Sequence, residues 1–171
     1  MAESDYEDLT ECGMSDQLEH ELVHTTKNCV FMWTNSKGEP FGVVMSYLPK
    51  DGRLWLTAAE RRKRVVALRR SPRASICIWG LGGPLGSGRT LTYKGDCVIH
   101  HDRETKDWFY PEFAQWLRPD PEQAQVFERF LDSPERVVLE FTPDYKLSFD
   151  SEQMWSRSPG VNDVEGDGSD R

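Results

Sequence analysis

Asp51-Gly52-Arg53-Leu54-Trp55-Leu56-Thr57-Ala58-Ala59-Glu60-Arg61-Arg62-Lys63-Arg64-Val65-Val66-Ala67-Leu68-Arg69-Arg70-Ser71-Pro72-Arg73-Ala74-Ser75 is the most informative run of the chain. Asp51-Gly52 is a two-residue hairpin signal, because both residues tolerate positive φ, and Leu54 to Thr57 has strand composition. The period then changes. Val65, Val66 and Leu68 recur among bases, which predicts a helix over 58–70 that Pro72 stops. Ala74 to Trp79 reads as the next strand.

Upstream, Ser15 or Asp16 caps a helix running to about Thr25, with Glu19 completing a weak capping box. Cys29 to Trp33 and Phe41 to Tyr47 read as strands around the turn Asn35-Ser36-Lys37-Gly38. Downstream, Gly80 to Gly88 is a glycine-rich loop, and Thr90 to His100 is a long strand with a bulge expected at Gly95. Two amphipathic helices follow, carrying Trp108, Phe109, Phe113 and Trp116, then Val126, Phe127, Phe130 and Leu131. Arg136 to Thr142 and Lys146 to Phe149 are the final strands. The pattern predicts a mainly β protein with α elements: a small barrel of about six or seven antiparallel strands with flanking helices.

The chain has 171 residues and a formal charge of -8. Residues 1–13 carry Glu3, Asp5, Glu7, Asp8 and Glu11 without a base, and residues 160–171 are also acidic. The body between them is neutral. One domain over 14–155 is expected, flanked by disordered acidic tails at 1–13 and 156–171. A neutral body with acidic ends argues against nucleic acid as a partner. There is no apolar run of about 18 residues, which argues against a membrane. The acidic N-terminus does not resemble an export signal, and Cys12, Cys29, Cys77 and Cys97 lie far apart. Reduced thiols and a cytoplasmic location are expected.

The bases at 61–64, 69, 70 and 73 cluster with no acid among them. They stand where a helix begins just after Thr57, and a helix N-terminus favours an anion. Helical geometry allows only some of them to serve one site. The alternative is a solvated basic face paired with carboxylates. Gly83 to Thr90 has P-loop spacing, but it opens a strand rather than a helix, so nucleotide triphosphate is not expected. His20/His24 and His100-His101 lack a third ligand at metal spacing, so no metal is expected. No nucleophile–base set assembles by spacing, and no catalytic residue is assigned.

Residues Gly38 to Ile78 resemble the FMN-binding split-barrel superfamily, which includes pyridoxamine 5'-phosphate oxidases and flavin/deazaflavin oxidoreductases. The resemblance rests on Gly38-Glu39-Pro40 opening a strand, Asp51-Gly52, Leu54 to Thr57, Arg62-Lys63 five residues on, and Ser71-Pro72-Arg73-Ala74-Ser75. Gly95-Asp96 and the Phe149-Asp150 ending extend it. The resemblance implies that Thr57, Arg62 and Lys63 hold a cofactor phosphate. Phe41 to Ser46 would line the ring, through Val43, Val44, Met45 and Ser46, with Leu56 beside them and Thr90 or Arg89 reaching in. It implies FMN or the deazaflavin coenzyme F-420, a small conjugated substrate, and a homodimer with the cofactor between subunits.

The chain departs from true pyridoxamine phosphate oxidases at Phe41 and Ser46, where they carry basic residues, and it has no Arg-x-His ending. Pyridoxamine phosphate is therefore not the expected substrate. The surplus arginines favour the longer anionic tail of the deazaflavin. Two further readings are a non-catalytic flavin, haem or tetrapyrrole carrier, with His100 or His101 as axial ligand, and a docking protein using the basic helix.

Overall fold

The computed structural model describes residues 9–157 except Ser87. After a 3-10 turn at Leu9–Glu11, the elements are α1 (Asp16–Thr25), β1 (Asn28–Thr34), β2 (Pro40–Ser46), β3 (Leu48–Lys50), β4 (Arg53–Ala59), α2 (Lys63–Arg70), β5 (Arg73–Trp79), β6 (Arg89–His100), α3 (Arg103–Leu117), α4 (Pro121–Leu131), β7 (Arg136–Asp150) and α5 (Ser151–Arg157). Seven antiparallel strands form one curled sheet in the order β2-β1-β5-β6-β7-β4-β3. The chain is a mainly β split barrel with flanking helices. Of the acidic tails, residues 1–8 and 158–171 lie outside the described residues.

Strand alternation builds the interior. Cys29, Phe31 and Trp33 of β1 point inward, as do Leu54, Leu56 and Ala58 of β4, Ala74, Ile76 and Ile78 of β5, and Leu139 and Phe141 of β7. Helix α1 adds Leu22 and Val23 to this core, and the buried Tyr47 hydroxyl donates to the Val23 carbonyl. Its cap is Ser15, which accepts from the Leu18 N–H. A second cluster lies outside the sheet, where Trp55 and Val138 meet Phe109, Tyr110, Phe113 and Leu131 of α3 and α4. Those two helices cover only one part of the outer face. Val44, Tyr145 and Leu147 remain more than half exposed on the uncovered part.

Asp51 and Gly52 both have positive φ, 53° and 72°, as the hairpin signal requires. The bulge also falls where expected, between Lys94 and Gly95. A Cβ on Gly95 would stand 2.1 Å from the Thr142 carbonyl oxygen and 2.9 Å from Pro143 Cα.

Three expectations need correction, and two elements were not expected. The helix expected over 58–70 begins at Lys63, because Ala58 and Ala59 continue β4 and pair with Val137 and Arg136. The two expected final strands are one strand of 15 residues; Pro143-Asp144 sits opposite the Gly95 bulge, so the missing proline donor does not end the ladder. Val126 and Phe130 of α4 are exposed rather than core. The short strand β3 and the helix α5 had no clear periodicity and were not anticipated.

Candidate functional site

The site begins where the barrel fails to close. Strand β2 runs through Tyr47 into β3, and β3 pairs with β4 as far as Leu48–Trp55. Continuing that register would set Ser46 opposite Thr57 and Met45 opposite Ala58. Instead β2 pairs only with β1, and beyond Trp55 β4 pairs only with β7. Two strand edges with unclaimed backbone donors and acceptors therefore flank the split. Along them lie Val43, Val44, Met45 and Ser46 on one lip and Leu56 and Thr57 on the other. Met45 and Leu56 turn their side chains into the core, Val44 is exposed, and the Ser46 hydroxyl donates to Asn28 at 2.9 Å.

At the end of β4 the chain turns through 60–62 into α2. Arg62 is the N-cap residue, and its side chain makes no capping hydrogen bond. The first turn contains no acid, whereas Lys63 and Arg64 put two cations at the positive end of the helix dipole. Arg64 points inward on the same face as Ala67 and Leu68, three and four residues on. Its Nε is buried without a hydrogen-bond partner. Burial pushes the Arg64 pKa down, and the neighbouring charges of Arg62 and Arg136 push it further. Tyr110, from α3, has Thr57 and Arg136 among its neighbours. Its buried hydroxyl lies beside Thr57 and has no hydrogen-bond partner, and the Thr57 hydroxyl donates to the Val137 carbonyl at 2.9 Å. Burial raises the Tyr110 pKa, so the phenol is a neutral donor.

This corner holds clustered cations and orphaned buried donors, and Arg62, Lys63 and Arg64 have no carboxylate partner among the described residues. Unmade hydrogen bonds of this kind cost about 1–3 kcal/mol each, which an anion would relieve. The donor set fits a phosphate.

The seven bases divide into two groups. Arg61 bonds Glu135, Arg69 bonds Glu60, and Arg73 bonds Asp144 and Asp96. Those three form the paired, solvated face. Arg62, Lys63, Arg64 and Arg70 have no carboxylate partner among the described residues. The sequence named Arg64 only as one of the clustered bases and did not single out Tyr110. Arg64 was legible as the base that shares a helical face with Leu68; Tyr110 carried no such signal, being 53 residues from Thr57.

Lys63 lines a second hollow, a cleft of about 270 Å³ between α2 and the β1–β2 hairpin. Trp33 and Phe41 form its floor, with rings stacked 5.9 Å apart. Val66, Arg61 and Arg70 line the α2 side.

Thr90 does not join these residues within one chain. It pairs with Trp79 and Phe149 on β6, and β1 and β5 stand between β6 and β2. Arg89 is held by Asp150, Glu152 and the Leu85 carbonyl. The glycine loop opens a strand, as its sequence context required. His100 is 2.6 Å from Glu140, and His101 is 3.8 Å from Glu60. Burial pushes the Cys29 and Cys97 thiols up to about 12, aided by Cys77 and Asp96 respectively, which makes both inert near neutrality. No group of three or more metal-ligating side chains occurs among the described residues. No helix among them is long and apolar enough to cross a membrane.

A split barrel with a cationic corner at the end of β4 defines a class, and sequence comparison places the chain within it. The chain belongs to the pyridoxamine 5'-phosphate oxidase family, whose sequence profile matches residues 18–146. No curated protein matches the sequence. Among solved structures it is similar to a conserved hypothetical protein from Mycobacterium tuberculosis, with 18% identity, a TM-score of 0.72, and coverage of 85% of this chain and 90% of that one. It is similar to an F-420 reductase at 15% identity and a TM-score of 0.57, covering 75% and 94% of the two chains. It is also similar to the haem storage protein of Vibrio cholerae at 12% identity and a TM-score of 0.60, covering 80% and 97%. At these identities the likeness is one of fold.

Proposed function

We propose that the protein is a flavin- or deazaflavin-dependent oxidoreductase that acts on a small conjugated substrate other than pyridoxamine phosphate. The observation that carries this reading is the cluster at the start of α2 of Arg62, Lys63 and Arg64, none with a carboxylate partner among the described residues, with Arg64 Nε buried without a hydrogen-bond partner. Arg62, Lys63 and Arg64 hold the phosphate of FMN or coenzyme F-420 beside Thr57, whose hydroxyl is already donated to the Val137 carbonyl. The free edge of β2 at Val43 to Ser46 orients the ring through backbone donors and acceptors, with the Leu56–Thr57 edge opposite. The bound cofactor supplies hydride transfer, so no protein acid or base is obligatory. The chain's own residues bind, orient and keep water from one side of the ring through the apolar wall of β2.

Two subunits complete the site. The uncovered outer face, with Val44, Tyr145 and Leu147 exposed, fits a second copy of the chain, and the second copy would supply Thr90 and close the split from outside. A haem carrier is less well supported, because His100 is engaged by Glu140 and neither His100 nor His101 lies on the lips of the split. The protein is expected to act in the cytoplasm, where a reduced cofactor pool and free thiols coexist.

The test is equilibrium binding of FMN and of coenzyme F-420, followed by fluorescence, in the wild type, Arg62→Ala and Lys63→Ala. One ligand is expected to bind at micromolar affinity or tighter. Each substitution is expected to weaken it by about 1.5–3 kcal/mol, the range for hydrogen bonds to charged groups. Unchanged affinity in both variants would remove the phosphate assignment, and absence of binding by either ligand would remove the redox reading.

A further inference from the structure

The barrel has a further hollow at the end away from α2. Strand β4 connects the two ends: Thr57 to Ala59 lead to the phosphate corner, whereas Arg53 and Leu54 line a cavity of about 240 Å³ between α1 and the β3–β4 hairpin. Along the strand, Leu54 and Ala59 stand about 16 Å apart. None of the residues assigned to the cofactor lines the cavity. Val23, Leu54, Pro49 and Pro143 supply apolar surface, and Tyr93 enters from β6.

The polar groups around this cavity are unevenly matched. Lys50 is committed to Glu112 at 2.6 Å and Arg53 to Glu140 at 2.9 Å. On the α1 side, Asp16 and Glu19 share a single cation, Lys146, which reaches both from β7. Three cations therefore face four carboxylates. Asp16 is solvated, so water meets its needs, but Glu19 is only 6% exposed. Its Oε2 accepts from Lys146, and its Oε1 has no hydrogen-bond partner among the described residues. A buried carboxylate with an unused oxygen favours a further cation. The other unclaimed groups agree. The Tyr93 hydroxyl and the His20 ring make no hydrogen bond among the described residues, and both line the cavity. Burial and the Glu19 charge raise the Tyr93 pKa, so the phenol is neutral. His24 Nδ1 lies 2.8 Å from the His20 carbonyl, which can only accept, so Nδ1 carries the proton and neutral His24 keeps Nε2 as an acceptor. No three of these side chains converge as metal ligands. Carboxylate and phenol oxygens, aromatic faces and apolar walls together select an organic ammonium. The volume is below the usual range for drug-sized ligands, ~300–1,000 Å³, and fits one ring or a short aliphatic chain.

We propose that the cavity between α1 and the β3–β4 hairpin is a second binding site, for a small organic monocation: a primary ammonium group on a short apolar or single-ring body. Glu19 and Tyr93 hold the ammonium, and Val23, Leu54, Pro49 and Pro143 hold the body. This site does not depend on the cofactor reading given above.

The test uses benzylamine as probe and its uncharged analogue benzyl alcohol as control, with the full chain near neutral pH. Binding is followed by the imidazole C–H resonances of the four histidines, each assigned with its own His→Gln variant. Benzylamine is expected to shift His20 and His24 saturably and to leave His100 and His101, which lie outside the cavity, in place. Benzyl alcohol is expected to bind at least tenfold more weakly. Glu19→Gln is expected to weaken benzylamine tenfold or more and Tyr93→Phe threefold or more. Lys63→Ala, which touches the cofactor corner and not this cavity, is expected to leave it unchanged. Absence of a saturable shift at His20 and His24, or equal affinity for amine and alcohol, overturns the site. Wild-type affinity in both Glu19→Gln and Tyr93→Phe overturns it as well. If Glu19→Gln does not fold, Tyr93→Phe and the comparison with the alcohol decide. Weakening by Lys63→Ala as large as that by Tyr93→Phe overturns the separation from the cofactor corner.

Discussion

Replacing Arg64 by Met is expected to raise stability and lower cofactor affinity, two effects of opposite sign from one substitution. In the free protein Arg64 is a cost. Its Nε is buried and unpartnered, it lies at the positive end of α2, and Arg62 and Arg136 repel it. An unsatisfied buried donor costs about 1–3 kcal/mol. Arg64 is only partly buried, so the lower end of that range applies. Methionine keeps the apolar stem in contact with Ala67 and Leu68 while removing the charge. A gain of about 1 kcal/mol would raise the Tm by roughly 2–4 °C for a chain of this size. In the complex the same guanidinium is an asset. Losing a hydrogen bond to a charged group costs about 1.5–3 kcal/mol, or about 10- to 150-fold in Kd. Thermal unfolding without ligand, thermal unfolding in inorganic phosphate, and fluorescence titration with FMN read the three quantities. Phosphate is expected to stabilise the wild type more than the variant, since a ligand that binds only the folded state raises its Tm. A variant that is less stable than the wild type and binds cofactor equally well would refute the reasoning, because Arg64 would then be a structural residue.

Gly95→Ala is expected to destabilise the protein by several kcal/mol or to prevent folding, since its Cβ would meet backbone atoms of Thr142 and Pro143 at 2.1 and 2.9 Å; chemical denaturation checks this. With the thiols of Cys29 and Cys97 raised to about 12, almost no thiolate exists at pH 8, and reactivity in the folded chain rises only as pH approaches 12. Mass spectrometry after alkylation at pH 8 is expected to find the half-buried Cys77 labelled well before either, with the difference erased in urea. Val44→Asp places a charge on the uncovered outer face and is expected to convert a dimer to monomers in light scattering; a wild type that is already monomeric would refute the homodimer.

Much of the fold was legible because its signals are local. Asp51-Gly52 fixes a turn through the φ its two residues tolerate, Ser15 caps α1 through a hydroxyl three residues from its donor, and Gly95 marks a bulge that only a residue without Cβ can fill. The start of α2 was misplaced because Ala58 and Ala59 favour helix by propensity, whereas pairing with Val137 and Arg136 holds them in β4. The two final strands merged for a related reason. Pro143 reads as a terminator by itself, and only Gly95, nearly fifty residues earlier, lets the ladder continue around it.

The candidate site divides along the same line. Sequence alone determined that cations gather after Thr57 and that the strand from Phe41 to Ser46 lies beside them in the fold the chain resembles. It could not separate the seven bases, because spacing along a helix gives a direction and not a partner. Tertiary structure decided that separation. Glu135, Asp96 and Asp144 arrive from distant parts of the chain and pair with Arg61 and Arg73, while Glu60, in the turn before α2, folds back onto Arg69. Arg136 arrives from β7 and adds a like charge beside Arg64, whose Nε stays buried and unpaired. Whether a charge is an ordinary surface feature or a binding group depends on what the rest of the chain brings within a few ångströms of it, and that is set by packing.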